Sequence, residues 1–309
     1  MILNTGSRTD IPAFYSTWFM NRIREGYVLT RNPYYPKRIH RYLIDRDHVD
    51  MIVFCTKNPE PMLEYLPELS RFPMFWFVTI TPYGKDIEPY VPDKHRVLES
   101  FRRLSQHVGK QACAFRYDPV FLSERYSREY HLRAFESICR ELSGYTEFCV
   151  VSFIDLYEKT KKNFPEVREV DMQTQKEMCR SFSEIAGRYG ISVRMCLEDP
   201  SLSAYGVNTD GCMTREVLER ALGESLHVPS SLQTRQGCRC LLGNDIGEYN
   251  TCLHGCRYCY ANYDMKLVRQ NAARHDPKSP LLIGWPEKDD EISDAKQVLY
   301  SSGQMKLDL

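Results

Sequence analysis

The 309-residue chain has no surplus of either charge: 41 lysines and arginines balance 41 aspartates and glutamates. That balance argues against a surface built for bulk polyanions, while leaving room for a local basic groove. No apolar run approaches the ~20 residues that a membrane span needs, and mean hydropathy is −0.47. The opening Met1-Ile2-Leu3-Asn4-Thr5-Gly6-Ser7-Arg8 lacks the basic stretch, apolar stretch and cleavage site of a secretory leader. A soluble, cytoplasmic protein with no membrane partner is therefore expected. Internal repeats and low-complexity tracts are also missing, which excludes a solenoid. What the chain does have is 42% apolar residues, enough for a large core, and twelve cysteines.

In a reducing compartment twelve thiols are not a disulfide framework. Cys55, Cys113, Cys139, Cys149 and Cys179 are scattered among apolar neighbours and read as small buried hydrophobes. The other seven, Cys196, Cys212, Cys238, Cys240, Cys252, Cys256 and Cys259, crowd into the last third. Packing has no need of such bunching, whereas metal sites do.

Short apolar, β-branched and aromatic runs predict strands at 2–5, 50–56, 74–80, 112–117, 147–154 and 191–197. Their near-continuous apolarity suits parallel strands buried on both faces. Helical patterns fall near 12–25, 37–46, 59–69, 93–108, 127–143 and 171–189, with Asp93 and Ser127 as caps. This alternation predicts an α/β fold, a partial (β/α)6 barrel of the TIM type, with an open doubly wound sheet as the alternative. The barrel core would span 1–197, a cysteine-rich segment and closing helix 198–275, and a polar tail 276–309. Within the middle segment, helices are expected at 214–223 and 259–273.

Several strands end in polar residues, notably Thr56-Lys57-Asn58-Pro59, Arg116-Tyr117-Asp118-Pro119 and Ser152-Phe153-Ile154-Asp155. Barrels of this kind build their sites at the carboxyl ends of strands, although the same residues also serve as turn formers and caps. Lys57, Arg116 and Asp118 are the harder ones to read as caps, because a charge beside a buried strand needs a partner or a ligand.

Residues 251–262 read Thr-Cys-Leu-His-Gly-Cys-Arg-Tyr-Cys-Tyr-Ala-Asn. Three thiolates at this spacing can each bind one iron of a four-iron cubane, leaving the fourth iron open. Two alternatives compete. One is a structural zinc site drawing on Cys238, Cys240, Cys252 and Cys256, or on His254. The other is an electron-transfer cluster completed by Cys238 or Cys240.

The stretch closely resembles the cluster motif of the radical S-adenosylmethionine superfamily. That resemblance implies a 4Fe–4S cluster on Cys252, Cys256 and Cys259, with S-adenosylmethionine chelated at the open iron and cleaved to a 5′-deoxyadenosyl radical. Beyond it, Ser7-Arg8-Thr9-Asp10-Ile11-Pro12-Ala13, Phe54-Cys55-Thr56-Lys57-Asn58-Pro59, Arg116-Tyr117-Asp118-Pro119 and Asp245-Ile246-Gly247 through Asn262 resemble a bacterial family of unknown function grouped with those barrels. Thr56-Lys57-Asn58-Pro59, Val78-Thr79-Ile80-Thr81, Glu88-Pro89 and Arg116-Tyr117-Asp118-Pro119 are more weakly similar to spore photoproduct lyase, in which the cluster motif precedes these blocks; here it follows them, which suggests a circular permutation. No Gly-Gly-Glu triplet follows the cluster motif.

The resemblance implies cofactor-binding roles for Tyr258, Arg8, Thr9, Asp10, Thr56 and Asn58, and catalytic roles for Lys57, Arg116, Asp118 and Tyr117. Lys57 and Arg116 would pair with the cofactor carboxylate or a substrate anion. Asp118 and Asp10 would bind ribose hydroxyls or orient those cations, and Tyr117, Tyr258 and Tyr260 would stack on adenine or relay a hydrogen atom. Cys196, Cys212, Cys238 and Cys240 are left for a second iron–sulfur cluster or a zinc, or for simple packing. The expected substrate is a small molecule or modified nucleobase in a lyase-type reaction, with a flavodoxin or ferredoxin as reductant. DNA-lesion repair and a non-catalytic metal-stabilised binding protein are the alternatives, nucleic acid being disfavoured by the zero net charge.

Overall fold

The computed structural model describes residues 1–229, 239–241 and 243–305. Seven strands form a single parallel sheet in the order Asn244–Asp245, Ile2–Asn4, Met51–Thr56, Met74–Thr79, Cys113–Val120, Phe148–Phe153, Ser192–Met195. Six of these are the expected strands. The seventh, Asn244–Asp245, pairs with the first through Leu3↔Asn244 and Asn4↔Asp245. No pairing among the described residues joins the two outer strands, so the sheet is open and not a closed barrel.

Both faces of the sheet are buried, which is why the strands read as continuous apolar runs. On one face Leu3, Ile52, Phe54, Trp76, Phe115, Tyr117 and Val151 belong to a core shared with helices Ser16–Glu25, Lys94–Val108, Arg128–Glu141 and Met172–Arg188. On the other, Ile2, Val53, Phe75, Phe77, Ala114 and Val150 pack against Met213, Val217 and Leu218 around the short helix Arg215–Leu222. The expected caps form: the Asp93 and Ser127 side chains accept from the His95 and Tyr130 amides. The helix expected at 259–273 is shorter, Met265–Ala273, because Cys252 through Tyr263 lies in turns and loop.

One element differs in kind. The segment read as a helix at 37–46 is instead a strand, Arg38–Leu43, antiparallel to Tyr27–Arg31 and parallel to Glu291–Asp294. Only Ile39 within it is fully buried, so it has no apolar helical stripe, and cross-strand ion pairs such as Arg41–Asp294 at 2.6 Å line its edge. Residues 277–283, expected in a polar tail, dock on the first long helix. There Trp18 Nε1 donates to the Ser279 and Leu281 carbonyls at 2.9 and 3.0 Å, and Leu281 is buried with Leu29 and Ile39.

Candidate functional site

The carboxyl ends of the strands converge on a cavity of about 310 Å³, within the range of small-ligand sites. Side chains alternate across a strand, and one parity supplies most of the wall: Cys55, Phe77, Thr79, Arg116, Asp118, Ser152 and, just past the last strand, Cys196, joined by the strand-end residues Thr56 and Phe153. The same parity rule corrects one expectation. Tyr117 lies between Arg116 and Asp118, points to the opposite face and is fully buried, with its hydroxyl 2.9 Å from His131 Nδ1. Nor does Asn58 line the cavity; its amide donates to Thr56 Oγ1 at 2.9 Å in the turn that starts the next helix.

The opposite wall is the loop carrying Cys252, Cys256 and Cys259. Contacts from distant parts of the chain hold it: Tyr15 donates to the Thr251 carbonyl at 2.7 Å, and the Tyr90 and Arg257 amides bond the His254 and Ile87 carbonyls. Gly255, at φ 69°, sits where a Cβ would come within 3.0 Å of the Tyr90 ring. Asp10 is the hub. Its Oδ1 accepts from the Ala13 amide at 3.0 Å, while its Oδ2 takes the Lys57 amide at 2.7 Å and His254 Nε2 at 2.8 Å. Asp10, expected to bind a ribose hydroxyl or to orient the cations, thus also ties the loop to the strand ends. Two polar atoms on this wall, Thr9 Oγ1 and His254 Nδ1, are buried without a protein partner. Buried polar atoms are nearly always satisfied, so these two suit a polar ligand.

Burial pushes the thiols of Cys252, Cys256 and Cys259 upward, most strongly opposed at Cys256 by the nearby Lys57 ammonium. Such desolvated sulfurs ionise only with a cation at hand. Among the described residues, the only Cys, His or carboxylate trio with ligand atoms all within 4.8 Å of one another is the surface group Glu287, Asp289 and Asp290. The three loop sulfurs are thus spread wider than one tetrahedral zinc, with S···S edges of ~3.8 Å from 2.3 Å bonds, would hold them. No trio that includes His254 or Cys240 gathers within that span either, among the described residues. Cys238 falls outside the described residues.

Lys57 lines the cavity. Its Nζ pairs at 2.8 Å with the buried carboxylate of Glu88, which also accepts from Thr81 Oγ1 at 2.6 Å and from Lys94 and the Tyr258 hydroxyl. Burial alone would raise the Glu88 carboxyl, yet the two ammonium groups outweigh it and hold it at about 2. Tyr258 is thereby fixed with its ring 5.6 Å from the Lys57 ammonium. Arg8 also lines the cavity, with Nη1 3.4 Å from the Gly247 carbonyl and its guanidinium 5.6 Å from the Tyr249 ring. Tyr260 is at the rim and donates to the Ser7 carbonyl at 2.6 Å.

On the strand side, Arg116 Nε and Nη2 both reach Asp118 Oδ2, at 2.9 and 2.6 Å, and Ser152 donates to Asp118 Oδ1. Arg116 Nη1 lies 3.3 Å from Cys212 Sγ, which in turn is 3.5 Å from Cys196 Sγ and 3.6 Å from Cys240 Sγ. Hydrogen bonds from Cys196 and Cys240, with the Arg116 charge, draw the Cys212 thiol well below its usual range.

Three features escaped sequence reasoning. Cys55, expected to be packing alone, is on the cavity wall. Leu197 adopts φ 62°, a costly conformation for a bulky residue and one that concentrates at functional sites. Next to it, burial raises the Glu198 carboxyl to about 8 although it accepts from the Phe153 amide.

The model of the family described as Domain of unknown function (DUF1848) matches residues 2–261. No curated protein matches the chain.

Proposed function

We propose that this chain, which belongs to the DUF1848 family of unknown function, is a radical S-adenosylmethionine enzyme on a partial barrel of strand–helix units completed by its cysteine loop. The observation that carries the reading is the gathering of Cys252, Cys256 and Cys259 on one wall of a ligand-sized cavity at the strand ends. Three protein sulfurs leave the fourth iron of a 4Fe–4S cluster without a protein ligand. Bound there, the cluster and S-adenosylmethionine supply reductive cleavage of the sulfonium and a 5′-deoxyadenosyl radical that takes a hydrogen atom from substrate.

The chain's own residues do the rest. Asp10, through His254, fixes the loop relative to the strands. Thr9 Oγ1 and His254 Nδ1 are unpartnered and stand ready for the polar end of the cofactor, with Arg8 on the same wall. Tyr258, clamped by Glu88, gives a rigid aromatic flank. Arg116, Asp118 and Ser152 face the loop and would orient a polar group of the substrate. The substrate class remains a small molecule or modified nucleobase, and an external flavodoxin or ferredoxin would deliver the electron.

The test is anaerobic. Purified protein should be brown, and should release 5′-deoxyadenosine when given S-adenosylmethionine and dithionite. Cys256→Ala should abolish release, and Cys139→Ala, in the core behind the sheet, should leave it nearly intact. Colourless protein without cleavage, or equal loss in both variants, would overturn the reading.

A further inference from the structure

We propose that Cys196, Cys212 and Cys240 hold a separate metal, a single thiophilic divalent ion of the zinc class, at the cavity wall. The three sulfurs come from three parts of the chain: the end of the strand Ser192–Met195, the turn before helix Arg215–Leu222, and residues 239–241. They nevertheless meet as a bent row, Cys212 lying 3.5 Å from Cys196 and 3.6 Å from Cys240. A tetrahedral ion with 2.3 Å bonds to sulfur has S···S edges of ~3.8 Å, so both inner edges are already set for one ion. The outer pair is wider than 4.8 Å, and binding would close that angle by rotation of one side chain.

Packed thiols also touch at such distances, so the surroundings decide. Two of the sulfurs are aimed at by nitrogen donors: the Met213 amide is 3.3 Å from Cys240 Sγ, and Arg116 Nη1 is 3.3 Å from Cys212 Sγ. Donors of this kind tune and stabilise metal-bound thiolates. A guanidinium also offsets the net negative charge of three thiolates on a divalent ion. Leu197 is held at φ 62° immediately after Cys196, which is local strain spent at this wall. Soft all-sulfur donors select zinc-class ions or iron–sulfur clusters, and the short inner edges favour the mononuclear choice. All three cysteines line the cavity, as do Arg116 and Asp118, so the ion would sit beside the substrate space. Nothing in this depends on Cys252, Cys256 and Cys259 holding iron.

Metal analysis of the full chain, purified anaerobically from zinc-replete cells, tests it. Zinc should be stoichiometric in the wild type and in Cys256→Ala, and should fall by about tenfold in Cys212→Ser and Cys240→Ser while iron stays unchanged. If those serine variants do not fold, cobalt decides. Cys256→Ala loaded with cobalt(II) should show sulfur-to-cobalt charge transfer and intense tetrahedral d–d bands. Zinc-free wild type lacking that cobalt spectrum, zinc retained in both serine variants, or loss of iron in place of zinc would overturn the proposal. A colourless, iron-free protein that still binds zinc would sink the proposed activity and leave this site standing.

Discussion

Glu88 is fully buried, and four side chains converge on its carboxylate: Lys57, Lys94, Thr81 and Tyr258. Removing the charge would strand two partly buried ammonium groups, a change that typically costs about 3–5 kcal/mol. Glu88→Gln should therefore lower the urea midpoint clearly. The pH dependence has a definite sign. A carboxyl held at about 2, against an ordinary 4.5, stabilises fully above 4.5 and loses that contribution as pH falls towards 2; the contribution is roughly 3 kcal/mol. Wild type should lose stability over that window more steeply than Glu88→Gln, and parallel curves would show that Glu88 is not the group responsible. At this scale the sequence was legible where residue type is diagnostic: bunched cysteines, and Arg116 and Asp118 beside a buried strand. It was not legible where direction decides. The strand Cys113–Val120 is flanked by apolar neighbours on both faces, so nothing local says that Arg116 and Asp118 point to the cavity while Tyr117 points away, or that Cys55 belongs with the former.

Elements were legible in proportion to how much of their stabilisation is local. The six main strands announce themselves because burial on both faces demands apolar residues at every position, and the long helices carry caps and apolar stripes. The ribbon of Tyr27–Arg31, Arg38–Leu43 and Glu291–Asp294 has neither signal. Its first two strands pair locally, as in Arg31↔Ile39, but the third joins from some 250 positions away, as in Arg38↔Glu291, and the cluster of Leu29, Ile39 and Leu281 anchors the ribbon. Leu281→Ala should accordingly cost about 2–5 kcal/mol, read as a drop in Tm. It should also increase hydrogen exchange in Tyr27–Arg31, whose Leu29 amide donates to the Pro280 carbonyl at 3.0 Å. A near-neutral Leu281→Ala would mean that residues 277–283 merely rest on the surface.

For the molecule as a whole, the decisive contact joins positions some 240 apart. Strand Asn244–Asp245 lies alongside Ile2–Asn4, and Asp245 Oδ2 accepts from the Ser7 amide at 2.6 Å. This brings the cysteine loop against the ends of the amino-terminal strands. Two residues are too few to show a period, so this strand could not be read from the sequence, although it leads into the loop that lines the cavity. Its register depends on Gly243, where an added Cβ would lie 1.9 Å from the Ile2 carbonyl oxygen and 2.6 Å from its carbon. Backbone cannot yield as a flexible side chain does, so Gly243→Ala must part the two strands, at a cost on the order of 3 kcal/mol. The damage should be regional. Exchange of amides in 245–262 should rise and anaerobic iron loading should fall, while Met74–Thr79 and Cys113–Val120 stay protected, because their pairings do not involve Ile2–Asn4. Unchanged exchange in 245–262 would mean that the loop is seated by Asp10 and Tyr15 without help from the strand. Uniform loss of protection would mean instead that the seventh strand is integral to the sheet's cooperativity.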